Sequence, residues 1–265
     1  MLFELALGTG AVMAGGFALA RGRRALLYRR LSGRITAIAQ GNPVRLATRS
    51  GPLPDFEHRF AAFPDILDAA DFAAISAEAE RLTSAERSYV PAHKQGGTVA
   101  YETLIEAAPA IVSLYHAPAL QALISRLCGE PVKPTPINDQ SSLSVLSYTR
   151  PGDHIGWHFD HNFYRGRHFT VLLPLVNQGH AEGGLSHARL IVRLGEEEHA
   201  VASPPNKLIV FEGAKVRHKV RPIVENERRI ILSMTYCTDP SASVAQGLAR
   251  RIKDVAFFGP RALWT

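Results

Sequence analysis

Cysteine is scarce in this chain: its 265 residues include two, Cys128 and Cys237. Two residues so far apart build no disulfide framework, and neither has another cysteine at metal-site spacing. A reducing compartment is the easier fit, and Cys237, at the end of an apolar run, reads as a small core residue. Internal repeats and low-complexity tracts are also lacking, so the length favours one large domain with a substantial core plus additions. Acidic residues are nearly missing from the first fifty positions, where Glu4 stands alone against eight arginines. Those positions carry +7, so about −1 is left for the rest of a chain whose net charge is +6. The overall basicity therefore gives no argument for nucleic acid.

Long apolar runs are missing apart from one at the start. Leu5 to Ala20 holds sixteen residues without a charge, which is at the short end for a membrane span, and its glycines weaken it as a soluble helix. Arg21, Arg23, Arg24, Arg29 and Arg30 follow at once. Three readings are open: a membrane anchor with the remainder held in the cytoplasm by the basic flank, a signal peptide cleaved after Ala18-Leu19-Ala20, or a helix packed on the protein itself. The charge pattern favours the anchor within a first segment, residues 1–34. Glu4, where a signal peptide carries positive charge, counts against cleavage.

What the chain does have is Gly156-Trp157-His158-Phe159-Asp160 and, sixty positions after His158, His218. Two imidazoles and one carboxylate can hold one face of an octahedral metal and leave the other open, the arrangement suited to non-haem Fe(II) and O2. If the pentapeptide is a strand, His158 and Asp160 share a face while Phe159 points into a hydrophobic layer. The distal histidine must then come from a neighbouring strand, as in an antiparallel barrel or sandwich.

The flanking segments add order to this set. Ser147 to Asp153 reads as a strand end and turn, and Arg167 to Asn177 and Lys207 to Glu212 as apolar strands. Glu182-Gly183-Gly184 reads as a turn, and Arg228-Arg229 opens a last strand, Ile230 to Tyr236. In this order the segments resemble the 2-oxoglutarate- and Fe(II)-dependent dioxygenase family, in its prolyl-hydroxylase-like branch, over positions 136–240. The resemblance implies a mainly β fold with flanking α: a double-stranded β-helix (jelly-roll, cupin-like) core with N-terminal helices. It implies His158, Asp160 and His218 as iron ligands and either Arg228 or Arg229 as partner of the far carboxylate of 2-oxoglutarate, for which a planar, always-charged guanidinium is suited. Arg228 has the commoner spacing from His218. Arg229 shares a strand face with Ser233, where similar enzymes carry a helping hydroxyl, and is favoured slightly. Tyr148 and Thr170 are implied as further lining of the cofactor pocket. The other histidines, His154, His161, His168 and His180, read as structural.

Under that resemblance the cofactors are Fe(II), 2-oxoglutarate and O2, with ascorbate as a reductant, and the reaction is hydroxylation of an unactivated C–H bond with release of succinate and CO2. Asp160 stands where iron halogenases of this fold have a small residue, which favours hydroxylation over halogenation. The substrate class stays open between a membrane-proximal small molecule or lipid and a peptide or amino-acid side chain, and oligomeric state is not legible. A non-enzymatic, cupin-like metal-binding or sensing protein is the alternative, disfavoured by the arginine such a protein has no need of.

Residues 35–135 read as a mainly helical support region. Pro64-Asp65-Ile66-Leu67 and Asp71-Phe72-Ala73 start amphipathic runs, and one longer periodicity runs from Leu104 through Ile124 to a stop at Gly129. Within it, His93-Lys94-Gln95-Gly96-Gly97-Thr98 has the composition of a mobile loop able to fold over a substrate. Residues 241–265 read as a C-terminal tail.

Overall fold

The computed structural model describes residues 2–41, 43–47, 52–82, 87–90 and 94–258, with side chains throughout except at 2–21 and 87–90. In chain order the elements are α1 (Leu2–Gly41), β1 (Phe60–Phe63), α2 (Ala69–Leu82), β2 (Arg87–Val90), β3 (Lys94–Val99), α3 (Tyr101–Ala107), α4 (Pro109–His116), α5 (Pro118–Cys128), β4 (Lys133–Pro134), β5 (Leu143–Tyr148) and β6 (His154–His158). They continue with β7 (His168–Gln178), a short 3-10 turn at Glu182–Gly184, β8 (Leu190–Leu194), β9 (Glu197–Val201), β10 (Leu208–Phe211), β11 (Arg217–Val220), β12 (Arg228–Cys237) and α6 (Val244–Phe258).

The strands pair antiparallel in the order β1-β10-β7-β12-β5-β3-β6-β11-β8-β9, with β2 beside β3 and β4 beside β12. Strand β3 joins the two halves of this path: Gly97–Val99 pair with β5, and Lys94–Gln95 pair with β6. The sheet therefore closes into the jelly-roll. Strands β7 and β12 are buried along almost their whole length. Both faces are covered, one by the roll's interior and one by helices, which is why His168–Gln178 shows no polar alternation. A β-bulge falls between Ile230 and Ile231 of β12 where it pairs with β7, opposite Pro174, which has no N–H to donate to the ladder.

Helices α2 to α5 pack with α1 and the outer face of the β5–β12–β7 sheet in one apolar cluster built around Leu104, Ile111, Leu114, Tyr115 and Ile124. A second cluster, including Leu190, Ile209, Phe211 and Ile231, lies inside the roll. The single periodicity between Leu104 and Gly129 is three helices, because Pro109 and Pro118 each open a new one and disfavour helical backbone in the residue before them. Gly129 ends α5 in left-handed conformation, φ 74°. Pro64 to Leu67 do not start a helix. Asp65 is left-handed at φ 49°, and Asn206 binds the last two residues of the segment, its carbonyl taking the Ile66 N–H and its side chain taking the Leu67 N–H.

The segment Lys94 to Thr98 is a strand rather than a mobile loop, while His93 lies outside the described residues. Its glycines serve close approach: a Cβ on Gly96 would come within 3.1 Å of the Ser147 carbonyl and 3.6 Å of the Tyr148 ring. Residues 241–265 are not merely a tail either, since Val244–Phe258 form α6, whose Arg250 and Asp254 are buried.

Helix α1 runs across position 34 without a break. Leu31 is 2% exposed in the core, with Leu27, Ile35 and Ile38 packed beside it. Arg30 and Arg34 bind the Glu106 carboxylate, and Arg34 also donates to the carbonyls of Ile105 and Glu106. At least these two arginines of the basic stretch hold the helix to the protein. Among the described residues, no helix is long and apolar enough to cross a membrane; the side chains of Leu5 to Ala20 lie outside them. The anchor therefore finds no support here, and α1 from Leu27 onward belongs to the folded core. Leu31→Ala should lower stability by about 2–5 kcal/mol, the cost of a large-to-small change in a well-packed core. Denaturant unfolding measures it, and an unchanged midpoint would show α1 to be undocked in solution.

Candidate metal centre and cavity

Strands β6 and β11 lie side by side with His158 directly opposite His218. Alternation turns both imidazoles inward and sends Trp157, Arg217 and Lys219 to the outer face, where the Lys219 ammonium lies 4.3 Å from the centre of the Trp157 ring. The two imidazole centroids are 4.1 Å apart. In each histidine Nδ1 is hydrogen-bonded to a backbone carbonyl two residues back, Gly156 at 2.8 Å and Val216 at 3.0 Å. With the proton on Nδ1, both rings can present Nε2 to a cation, the usual orienting device for ligand histidines.

Asp160 does not sit in the strand. Strand β6 ends at His158, so the period-two argument for a shared face stops one residue short. Asp160 is held instead by its own N–H, which donates to the Gly213 carbonyl at 3.0 Å, and by the Thr170 hydroxyl, which donates to its Oδ2. Its Oδ1 is then 3.5 Å from His158 Nε2 and 3.7 Å from His218 Nε2. Phe159 is 48% exposed at the cavity mouth rather than turned into an apolar layer, for the same reason: the strand has ended. Gly213 is required here, because a Cβ would overlap the Asp160 carboxylate and the Thr170 hydroxyl.

One ligand atom each from His158, Asp160 and His218 lies within 4.8 Å of the others, and no other such group occurs among the described residues. Burial works against ionising Asp160, but the two histidines and the Thr170 hydroxyl outweigh it and hold the carboxyl far below its ordinary range. Burial lowers the His218 pKa and keeps that ring neutral; it acts the same way on His158, where Asp160 outweighs it and raises the value. An anionic carboxylate between two inward Nε2 atoms is a donor set that fits a divalent cation such as Fe(II).

These residues open onto a cavity of about 220 Å³ inside the roll. The guanidinium of Arg229 faces it at 1% residue exposure, lies 5.1 Å from the Tyr148 ring centre, and has no ion pair among the described residues. Among the described residues, its Nε and the Tyr148 hydroxyl are buried without a hydrogen bond of good geometry. Burial pulls the Arg229 pKa down. Ser233, four positions along β12, lines the same wall. Arg228 points the other way, exposed and paired with Glu80 at 3.2 Å. The structure thus separates two arginines that the sequence left as alternatives. Thr170 also lines the cavity, although its hydroxyl is engaged by Asp160.

Among the histidines read as structural, His161 and His168 line the cavity without joining the metal cluster, His154 binds the Gly152 carbonyl, and His180 is exposed. The cavity's other end was not anticipated. Lys94 and Thr98 from β3 and Lys253, Phe257 and Phe258 from α6 complete it. Helix α6 is fixed there by Lys253, which pairs with buried Asp139 at 2.8 Å and with Asp254 at 3.0 Å.

Residues 143–236 match the family model of the 2OG-Fe(II) oxygenase superfamily. Over that stretch, which holds the metal cluster and Arg229, the chain is similar to the superfamily. Residues 55–184 also match the model described as Halogenase D. Similar solved structures include a prolyl hydroxylase from Trichoplax adhaerens in complex with a hypoxia inducible factor peptide, at 17% identity over 69% of this chain and 84% of that one, TM-score 0.56. The epimerase SnoN from nogalamycin biosynthesis has 19% identity over 67% and 77%, TM-score 0.55. AviO1 from Streptomyces viridochromogenes has 17% over 73% and 99%, TM-score 0.55. At such identities these structures establish the shared fold. No curated protein matches the chain. An oxygenase of this superfamily works with Fe(II) and 2-oxoglutarate, and the residues present fit both: the donor set suits the metal, and Arg229 is a buried cation that lacks an anion.

That missing anion has a cost in the unloaded protein. Arg229→Met should melt at or above the wild-type temperature in the absence of 2-oxoglutarate, because it removes an uncompensated buried charge of similar shape. Arg228→Met should shift stability by no more than about 0.5 kcal/mol, the usual scale for an exposed pair. Strong destabilisation by Arg229→Met would show that the guanidinium is satisfied within the protein.

Proposed function

We propose that this oxygenase hydroxylates an unactivated C–H bond of a small organic substrate, with His158, Asp160 and His218 holding Fe(II) and Arg229, helped by Ser233, pairing with the far carboxylate of 2-oxoglutarate. The observation that carries the reading is the juxtaposition of an inward two-histidine, one-carboxylate set with a fully buried, unpaired guanidinium on one cavity wall. When bound, the iron and its cosubstrate supply the oxidative chemistry, 2-oxoglutarate being converted to succinate and CO2. The chain's share is positioning and exclusion of water. Gly156 and Val216 fix the imidazole tautomers, Thr170 and Gly213 fix the carboxylate, and Tyr148 backs the guanidinium plane.

The match to Halogenase D makes halogenation the second reading. Asp160 speaks against it. In iron halogenases of this fold, a small residue at this position leaves a coordination site for chloride, whereas here a carboxylate occupies it, anchored on both sides. A non-catalytic metal binder is disfavoured by Arg229, whose buried charge has no use around a metal alone.

Succinate release by the purified protein with Fe(II), 2-oxoglutarate and ascorbate tests the proposal. His158→Ala, Asp160→Ala and His218→Ala should each abolish it and deplete bound iron. Arg229→Leu should raise the 2-oxoglutarate KM roughly tenfold to several hundredfold while iron content stays near normal, the scale of a lost charge-assisted bidentate pair, and Arg228→Leu should leave it unchanged. Retention of iron and turnover by any triad variant would falsify the ligand assignment.

The choice between oxidation outcomes has its own measurement. Asp160→Gly should lose hydroxylation and gain a chloride-dependent change in the Fe(II) absorption spectrum. A variant that still hydroxylates at a wild-type rate would remove Asp160 from the metal.

A further inference from the structure

Two cations face the cavity with no carboxylate partner among the described residues, and the reading above uses only Arg229. The other is Lys94. It is 8% exposed, its Nζ donates to the Thr98 hydroxyl at 3.0 Å, and the ring centre of Phe257 lies 5.5 Å away. Burial, and then the nearby charge of Lys253, push its pKa down to about 8, so the amine is still mostly protonated at neutral pH. A buried ammonium with one neutral hydroxyl for company is unfavourable unless something else compensates it.

Among the described residues, every other charge at the cavity is balanced. Lys253 is matched by Asp139 and Asp254, and Arg250 pairs with Asp254 at 3.3 Å. At the cofactor end, the divalent metal and Arg229 would be matched by Asp160 and the two carboxylates of 2-oxoglutarate. One positive charge is left over, at Lys94, which lies against the Phe257 ring in a cavity that Phe159 and Phe258 also line. A neutral substrate would leave it uncompensated, and a dianion such as a phosphate monoester would overshoot it.

We propose that Lys94 binds a carboxylate of the substrate, so that the enzyme acts on a small monocarboxylic acid whose apolar part lies against Phe159, Phe257 and Phe258. The proposal rests on the assignment of the metal to the triad and of 2-oxoglutarate to Arg229. It makes Lys94 a specificity-determining residue, and it makes β3 part of the substrate site as well as the strand that closes the roll.

The test is isothermal titration calorimetry on the full chain loaded with Fe(II) and 2-oxoglutarate under nitrogen, where no turnover occurs. The probes are a series of short aliphatic and aromatic monocarboxylic acids and the primary amide of each. Acids should bind and their amides bind roughly tenfold to a hundredfold more weakly, the cost of losing a charge-assisted hydrogen bond. In Lys94→Met the preference should vanish while the affinity for 2-oxoglutarate stays that of the wild type. Equal binding of acids and amides by the wild-type protein, or binding of no acid at all, overturns the proposal, and this comparison stands even if the variant folds poorly. Loss of 2-oxoglutarate affinity in Lys94→Met also overturns it, by giving Lys94 to the cosubstrate. If instead Arg229→Leu leaves 2-oxoglutarate affinity untouched, the cosubstrate assignment fails, whatever the acids and amides show.

Discussion

The whole site depends on the register of two short strands. Strand β6 is five residues and β11 is four, and their pairing sets His158 against His218. A slip of one residue would turn Trp157 into the roll and an imidazole out to solvent, because side chains alternate with a period of two. What prevents the slip is partly apolar, Ile155 and Val220 facing the interior cluster, and partly the outer face, where Trp157 lies among the cations of Arg193, Arg217 and Lys219. The third ligand needs separate handling. Asp160 lies beyond the strand end and is brought back by one backbone hydrogen bond and one hydroxyl, through a space that only a glycine at 213 leaves open.

Around this centre the interior carries more charge than folding alone would favour. Asp139, Lys253, Asp254 and Arg250 form a closed network in which each charge has a partner, and it fixes α6 over the cavity. Arg229 and Lys94 belong to no such network. The two kinds of buried charge do different things. The paired set positions an element, whereas a buried cation without a partner costs the empty protein stability, a cost that an anion entering the cavity would offset.

Much of the centre was legible in the sequence because its elements are local or strongly ordered along the chain. The triad, the strands Arg167–Asn177 and Lys207–Glu212, the Gly-Gly turn and the stop at Gly129 all follow from residue type and spacing. Choosing between Arg228 and Arg229 needed the β12 register, since both open the same strand and only the paired position shows which one meets Tyr148. Strand β3 and helix α6 were missed for a different reason. Gly96 and Gly97 look like flexibility, yet at Gly96 Ser147 and Tyr148 press against β3, a contact between residues some fifty positions apart. In α6, Arg250 and Asp254 look like a solvated face, and only the fold brings Asp139 to neutralise Lys253. The four-residue spacing of Arg250 and Asp254 was the one local hint, and it points to a helix without saying which face is buried.

The same distinction bears on the two overlapping family matches. Residues 55–184 match the Halogenase D model, and residues 143–236 match the oxygenase superfamily model, so β5, β6 and β7 satisfy both. A frame that fits two chemistries cannot by itself decide between them. The decision falls to one side chain and its supports. Thr170 donates to Asp160 from β7, and Gly213, which yields the space, follows β10, outside the halogenase match. A carboxylate held by Thr170 of β7 and by the Gly213 carbonyl after β10 is fixed in place by the fold rather than an incidental acid at the cavity mouth. The proposal of hydroxylation over halogenation therefore rests on that local packing, while the rest of the roll would accommodate either chemistry.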